Sequence, residues 1–102
     1  MSIKKQYLKK KGVCKVTFSV PPAEGNGAQK VHLVGEFNGW SPSANPMKRL
    51  KSGVFSISME LPQGREYQFR YLFDEQRWDN DPQADKSADT PYADARNSVV
   101  VL

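Results

Sequence analysis

The fold of this chain is decided by residues 55–74, which read FSISMELPQGREYQFRYLFD. On both sides of the Pro62-Gln63-Gly64 turn, apolar side chains alternate with polar ones. Because successive side chains of a β-strand point to opposite faces, this period of two predicts two half-buried strands. The aromatic residues of the second strand are expected in the core; they are Tyr67, Phe69, Tyr71 and Phe73. Arg70 should therefore point away from the core.

Shorter segments on either side repeat this strand and turn pattern. Residues 13–20 alternate, residues 30–37 run into an Asn38-Gly39 tight turn, residues 47–50 form a short strand, and residues 97–102 form an apolar final strand. The chain turns back through Arg77-Trp78, whereas residues 79–96 show no strong period. Six or seven short strands without a convincing helix predict an all-β, immunoglobulin-like antiparallel β-sandwich.

The charge of the chain is divided unevenly along its length. Residues 1–51 carry a net charge of +8 and residues 52–102 carry −4. Five lysines lie within residues 1–12, which we interpret as a solvated basic leader before a single domain at residues 13–102. The remainder is close to neutral without these lysines, so the basic charge is weak support for a nucleic-acid partner.

Several classes of protein are disfavoured by what the sequence contains. Apolar runs fall short of the roughly 20 residues that span a bilayer, and the first residues lack a secretory signal, so a cytoplasmic location is expected. Cys14 is the only cysteine and His32 is the only histidine in the sequence. We therefore expect no disulfide within the chain and no metal or cofactor site. The acidic residues between 74 and 94 match no calcium loop and select no glycosidase pair. We therefore expect a protein that is not an enzyme.

Trp40 is the first candidate binding residue, because it directly follows the Asn38-Gly39 turn. A flat ring displayed at the rim of a sheet can stack on a flat apolar ligand face. Trp78 and Arg70 are further candidates, and each also has a structural interpretation. Either tryptophan could cover the core, and Arg70 could pair with Glu66 or Asp74.

Five blocks in order resemble the family 48 carbohydrate-binding modules, and the resemblance covers residues 13–102. They are Gly-Glu-Phe-Asn-Gly-Trp at 35–40, Leu-Pro-Gln-Gly at 61–64, Tyr-Gln-Phe-Arg-Tyr at 67–71, Trp-Asp-Asn-Asp-Pro at 78–82 and Asn-Ser-Val-Val-Val at 97–101. The family includes the glycogen-binding domain of the AMP-activated protein kinase beta subunit and the N-terminal domain of isoamylase. The resemblance implies an early-set sandwich that binds alpha-1,4-linked glucans such as glycogen, starch and maltodextrins.

The resemblance also implies which residues contact the sugar. The two stacking tryptophans fall on Trp40 and Trp78, the basic residue falls on Arg70, and the asparagine before the last strand falls on Asn97. Asn97 could instead stabilise the entry to that strand. The family's leucine and threonine have no identical counterparts in residues 91–95, where Tyr92 could replace the leucine as an apolar wall. The alternative function is a protein interaction domain that serves a partner such as a glycoside hydrolase or a kinase.

Overall fold

The computed structural model of the chain describes residues 1–25, 27–90 and 96–102. The strands in these residues are β1 (Ser2–Leu8), β2 (Val13–Val20), β3 (Val31–Gly35), β4 (Lys48–Arg49), β5 (Phe55–Pro62), β6 (Glu66–Phe73), β7 (Arg77–Asp79), β8 (Lys86–Asp89) and β9 (Arg96–Val101). One short helix, α1 (Pro22–Gly25), follows β2, and a 3₁₀ turn, Glu36–Asn38, follows β3. The described residues hold no helix with the length and apolar character that crossing a membrane would require.

The strands form two antiparallel sheets that pack face to face. The four-stranded sheet has the order β1-β2-β5-β4, and the five-stranded sheet has the order β3-β6-β9-β8, with β7 also paired to β6. β5 and β6 are joined by a short turn, yet they belong to different sheets. The alternating residues 55–74 therefore cross from one layer to the other, and the predicted immunoglobulin-like sandwich is confirmed.

The aromatic face of β6 forms the centre of the core. Tyr67, Phe69, Tyr71 and Phe73 are all buried, as the sequence predicts. The Phe69 ring packs edge-on against Phe18 of β2, with ring centroids 5.1 Å apart, and against Tyr71 at 5.7 Å. The edge-to-face pair of Phe18 and Phe69 joins the two sheets through complementary ring charges as well as through buried apolar area.

A buried hydrogen bond attaches the segment after β7 to this core. The Tyr71 hydroxyl donates to Asp81 Oδ2 at 2.8 Å, and the Asp81 backbone N–H donates to Ser98 Oγ at 2.8 Å. Burial, together with the charge and hydrogen bond of Asp81, raises the pKa of Tyr71 above its usual value. The hydroxyl therefore remains a proton donor at neutral pH.

Residues 2–8 differ from the prediction of a separate leader. They form β1, which pairs with β2 from Ser2 opposite Ser19 to Leu8 opposite Val13. The lysine side chains explain why the strand was missed, because Lys4 is exposed and Lys5 lies on the core-facing side at the sheet edge. The leader interpretation is wrong for these residues, although most of the lysine charge is exposed to water as expected.

Two further elements were not predicted. β8 lies in the segment 79–96, and its sequence, Lys-Ser-Ala-Asp, has no apolar alternation from which a strand could be inferred. α1 begins at Pro22, in the segment read as a strand stop and loop, and proline is well tolerated in a first helical turn. β3 also ends at Gly35, two residues before the predicted end, because the 3₁₀ turn begins at Glu36.

Gly35 lies where two strands approach too closely for any side chain. A Cβ atom at this position would lie 2.6 Å from the Gln68 carbonyl oxygen and 2.8 Å from Phe69 Cβ. Both atoms belong to β6 close to its backbone, so neither can move away without displacing the strand. Only glycine fits at this point of the β3-β6 pair.

We expect Gly35→Ala to lower the free energy of unfolding by about 1–3 kcal/mol, the usual cost of overpacking a core. Chemical denaturation measures the change. Gly25→Ala is the matched control, because its added Cβ would have its nearest neighbour, Phe55, at 4.0 Å. Equal effects of the two substitutions would contradict the close-approach argument.

A salt bridge joins β1 to the opposite sheet. Lys5 Nζ donates to Asp85 Oδ2 at 2.7 Å, and the Val101 backbone N–H donates to the same oxygen at 2.7 Å. Desolvation would raise the pKa of Asp85, but these two hydrogen bonds and the Lys5 charge lower it below its usual value.

Lys5→Met should raise the pKa of Asp85, which an NMR titration of the carboxyl carbon measures. A lowered folded-state pKa contributes stability above the unfolded value, about 3.9, and this contribution is lost as pH falls through the folded value. The stability difference between wild type and Lys5→Met should therefore shrink under acid. Lys4→Met is the control, since Lys4 points to the other face; an equal pKa shift there would refute the pairing.

Candidate functional site

The loop that carries Trp40 is organised by the side chain of Asn38. Its Nδ2 group donates to the Leu33 carbonyl at 2.9 Å and to Asn45 Oδ1 at 2.7 Å, while its Oδ1 accepts from the Gly35 N–H at 3.1 Å. These bonds join the end of β3 to the loop that returns towards β4. Asn38 therefore contributes its side chain to the turn, rather than an unusual backbone angle.

The positive backbone angles of the turn fall on Gly39, with φ 65°, and on Trp40, with φ 60°. Gly39 was expected in this region, whereas a tryptophan rarely adopts it. The Trp40 N–H donates to the Gly35 carbonyl at 2.9 Å, which holds the strained residue in place. The side chain is 38% exposed. The turn therefore displays the ring, and Trp40 is not a core residue.

Trp78 is positioned by the hairpin between β6 and β7. Asp74 and Glu75 both have positive φ angles, as a tight hairpin turn requires, and Trp78 pairs opposite Leu72. On the other face of β7, the Arg77 guanidinium lies 4.6 Å from the centroid of the Phe73 ring. This contact fixes the orientation of the short strand. Trp78 is left 46% exposed on the outer face of the five-stranded sheet.

Three polar side chains on β6 and β9 form a connected network on the same outer face. Arg70 Nε donates to Asn97 Oδ1 at 2.6 Å, and Asn97 Nδ2 donates to Gln68 Oε1 at 2.9 Å. The chain of bonds fixes which way both amides point, since each oxygen accepts and each nitrogen donates. Within this network, Arg70 donates through Nε alone, and the amide nitrogen of Gln68 takes no part.

The two structural alternatives for Arg70 are not found. Glu66 pairs with Lys86 at 2.5 Å, and the Asp74 carboxylate accepts the backbone N–H groups of Gln29 and Lys30 at 2.8 and 2.9 Å. Asn97 likewise uses its side chain in the network with Arg70 rather than as a local cap. Both residues therefore belong to one polar surface on the outer face of the five-stranded sheet.

A cavity of about 500 Å³ brings four of the five predicted site residues together. Its lining residues are Glu36, Trp40, Gln68, Arg70, Trp78, Thr90 and Asn97. Tyr92, the fifth predicted residue, lies outside the described residues. Three of the lining residues were not predicted from the sequence, namely Glu36, Gln68 and Thr90. For Gln68 a signal existed, because the alternation that exposes Arg70 on β6 exposes the residue two positions before it as well.

The cavity combines aromatic surfaces with directional polar groups. Two partly exposed indole rings supply flat apolar surfaces, while the arginine and the amides supply hydrogen-bond donors and acceptors. Glu36 adds a carboxylate, whose Oε1 accepts the backbone N–H of Gln68 at 2.6 Å. A ligand with apolar faces and a hydroxylated edge matches this pattern.

A β-sandwich with such a cavity on one sheet has the architecture of a ligand-binding module. The chain belongs to family 48 of the carbohydrate-binding modules. The family model described as "Carbohydrate-binding module 48 (Isoamylase N-terminal domain)" matches residues 23–92. The matched region includes Trp40, Arg70 and Trp78 and ends before Asn97.

Curated relatives share part of this region. The chain is 42% identical over 57 residues to Protein PTST homolog 2, chloroplastic, of Arabidopsis thaliana. The aligned region covers 56% of this chain and 10% of that protein. It is 40% identical over 57 residues to Protein FLOURY ENDOSPERM 6, chloroplastic, of Oryza sativa subsp. japonica, with the same coverage. It is 40% identical over 48 residues to the 1,4-alpha-glucan branching enzyme GlgB of Cupriavidus pinatubonensis, which covers 46% of this chain and 6% of the enzyme. The match spans a tenth or less of each relative.

The network in the cavity predicts strong coupling between Arg70 and Asn97. In a double-mutant cycle of Arg70→Met and Asn97→Ala, we expect a coupling free energy of about 1 kcal/mol or more, because a charged donor and a largely buried acceptor are paired. Denaturation of the four proteins measures it. The control cycle joins Arg70→Met with Asn80→Ala, whose side chain bonds Arg96 and Ser98 instead. Additivity in the first cycle would contradict the network.

Proposed function

We propose that this chain binds alpha-1,4-linked glucans, such as glycogen, starch or maltodextrins, without cleaving them. The observation that carries the proposal is that Trp40 and Trp78, both partly exposed, line one cavity together with a polar network. Membership of a carbohydrate-binding family supports the ligand class. The name of one relative, a 1,4-alpha-glucan branching enzyme, supports the linkage.

In this proposal the indole rings of Trp40 and Trp78 stack on the apolar faces of glucose units. The axial C–H groups of glucose form an apolar patch, and an aromatic face covers such a patch with favourable electrostatics. Arg70 contributes the guanidinium N–H groups other than Nε–H to sugar hydroxyls, and Asn97 holds the guanidinium in position by accepting from Nε. Gln68 fixes the Asn97 amide in turn. The network therefore prepares the donors before the ligand arrives.

In this proposal, any cleavage or transfer of the glucan is carried out by another protein or by a part of the protein beyond this chain. Glycoside hydrolysis by the usual mechanisms needs two carboxyl groups across the sugar. Among the described residues that line the cavity, Glu36 is the one carboxylate, and it already accepts the Gln68 N–H. A glycoside hydrolase or a kinase is the class of partner that such a module would bring to a glucan. The cytoplasmic location stays a prediction.

The proposal is tested by calorimetric titration of maltoheptaose into the wild type, Trp40→Ala and Trp78→Ala. Stacking and hydrogen bonds to a solvated sugar should give the wild type a dissociation constant in the micromolar to millimolar range, about −8 to −4 kcal/mol. Loss of either ring should weaken binding at least about tenfold, because stacking and buried apolar area are removed together. Binding should change little with salt, since the ligand is neutral.

Tyr7→Ala is the matched control, because Tyr7 is an aromatic residue 50% exposed on β1, outside the cavity. It should bind maltoheptaose as the wild type does. A folded wild type with no measurable binding at millimolar sugar would overturn the proposal. If only Trp40→Ala lost binding, the shared platform would be wrong and Trp78 would have a structural role.

A further inference from the structure

The positive charge of the chain is concentrated in the segments that form the four-stranded sheet. Residues 1–20 and 48–62, which contain all strands of the four-stranded sheet, hold nine lysines and arginines and a single acid, Glu60. The rest of the chain holds six basic and ten acidic residues. The net charges are therefore +8 and −4. The charge asymmetry along the chain therefore becomes an excess of basic residues on one sheet.

Most of the basic charge on the four-stranded sheet is not neutralised within the described residues. Lys5 pairs with Asp85, and Lys11 lies 3.5 Å from Glu60. No carboxylate in the described part of the chain lies within ion-pair distance of Lys4, Lys9 or Lys10. These three lysines are exposed and lie on or directly after β1. Part of the positive charge of this sheet therefore lies on β1 and in the turn that follows it.

β1 is also an edge strand. It pairs with β2 on one side, and no described strand pairs with it on the other. Its seven residues are held firmly, because every one of them has a partner in β2 and Lys5 joins the strand to Asp85 of the opposite sheet. An edge of this kind presents main-chain N–H and C=O groups in strand geometry. Tyr7, half exposed on the same strand, adds an aromatic contact.

We propose that β1 docks an extended acidic polypeptide segment by strand addition. Main-chain hydrogen bonds to the free edge would set the register, and the lysines would select carboxylate side chains. A second copy of β1 is disfavoured, since it would place the same lysines against one another. Single-stranded nucleic acid stacks on exposed aromatic residues. Among the described residues, the outer face of this sheet bears lysines and hydroxyl groups such as Thr17 and Ser58, while the exposed Tyr7 lies on the other side of β1. The free edge therefore favours a peptide.

The test uses the ¹⁵N-labelled chain and a blocked peptide of alternating glutamate and threonine, about ten residues long so that it spans β1. At low salt, the largest amide shift changes should fall on residues 2–8. Lys4→Glu should weaken binding at least about threefold, as expected for reversing one exposed charge. Tyr7→Ala should weaken it as well, and added salt should weaken it further.

Three controls separate the edge from charge alone and from the glucan cavity. The same peptide, N-methylated at every second residue, keeps its charge but cannot form the ladder, so it should bind at least about tenfold more weakly. Lys30→Glu changes the net charge equally at a position outside the four-stranded sheet and should have a smaller effect than Lys4→Glu. Trp40→Ala should bind the peptide normally, so failure here is distinguishable from failure of glucan binding.

Equal binding of the N-methylated peptide would overturn strand addition. So would shift changes confined to the flat face around Lys15 and Lys48. An oligothymidylate of matched charge that binds more tightly than the peptide would show that the surface is a nucleic-acid site instead.

Discussion

The alternation of side chains along β6 is the constraint on which the rest of the molecule depends. Its aromatic face packs against Phe18 of the opposite sheet and fixes the register of the sandwich. The same register turns Gln68 and Arg70 outward, next to Asn97 of β9. A slip of one residue would bury a guanidinium and expose the rings. Core and cavity are therefore two consequences of one pattern, and a change of register would disrupt both.

Around this strand, the cavity is completed by two turns that use different means to display a tryptophan. At Trp40, a polar side chain, Asn38, holds a strained backbone, and the strain places the ring at the rim of the sheet. At Trp78, a regular hairpin does the same without strain at the tryptophan itself, because the outer face of β7 is set by pairing with Leu72. The polar network between them is anchored on rigid strands, which favours precise donor positions over adaptable ones.

The parts of the fold and of the cavity that could be predicted are those that leave a pattern in neighbouring residues of the sequence. The alternation of β2, β5 and β6 follows from burial of one face, and the sequence therefore predicted the sandwich and the outward direction of Arg70. β1 and β8 gain their pairing from neighbouring strands rather than from their own apolar residues, so their lysines and polar side chains concealed them. Glu36 contributes to the cavity through a bond to the Gln68 backbone, a contact between distant residues that no spacing in the sequence reveals.

Because residues 2–8 form a strand and not a solvated leader, their lysines can act differently. As a solvated leader, the lysines would act as a mobile charge whose attraction is spread over many conformations and is weak at any one place. As part of β1, Lys4 is held at a fixed position beside a free sheet edge. Fixed charges lose less entropy when they bind, and they discriminate by geometry as well as by sign. Folding the lysines into the sheet therefore makes selective recognition by this surface physically reasonable, on the sheet opposite to the one that holds the cavity.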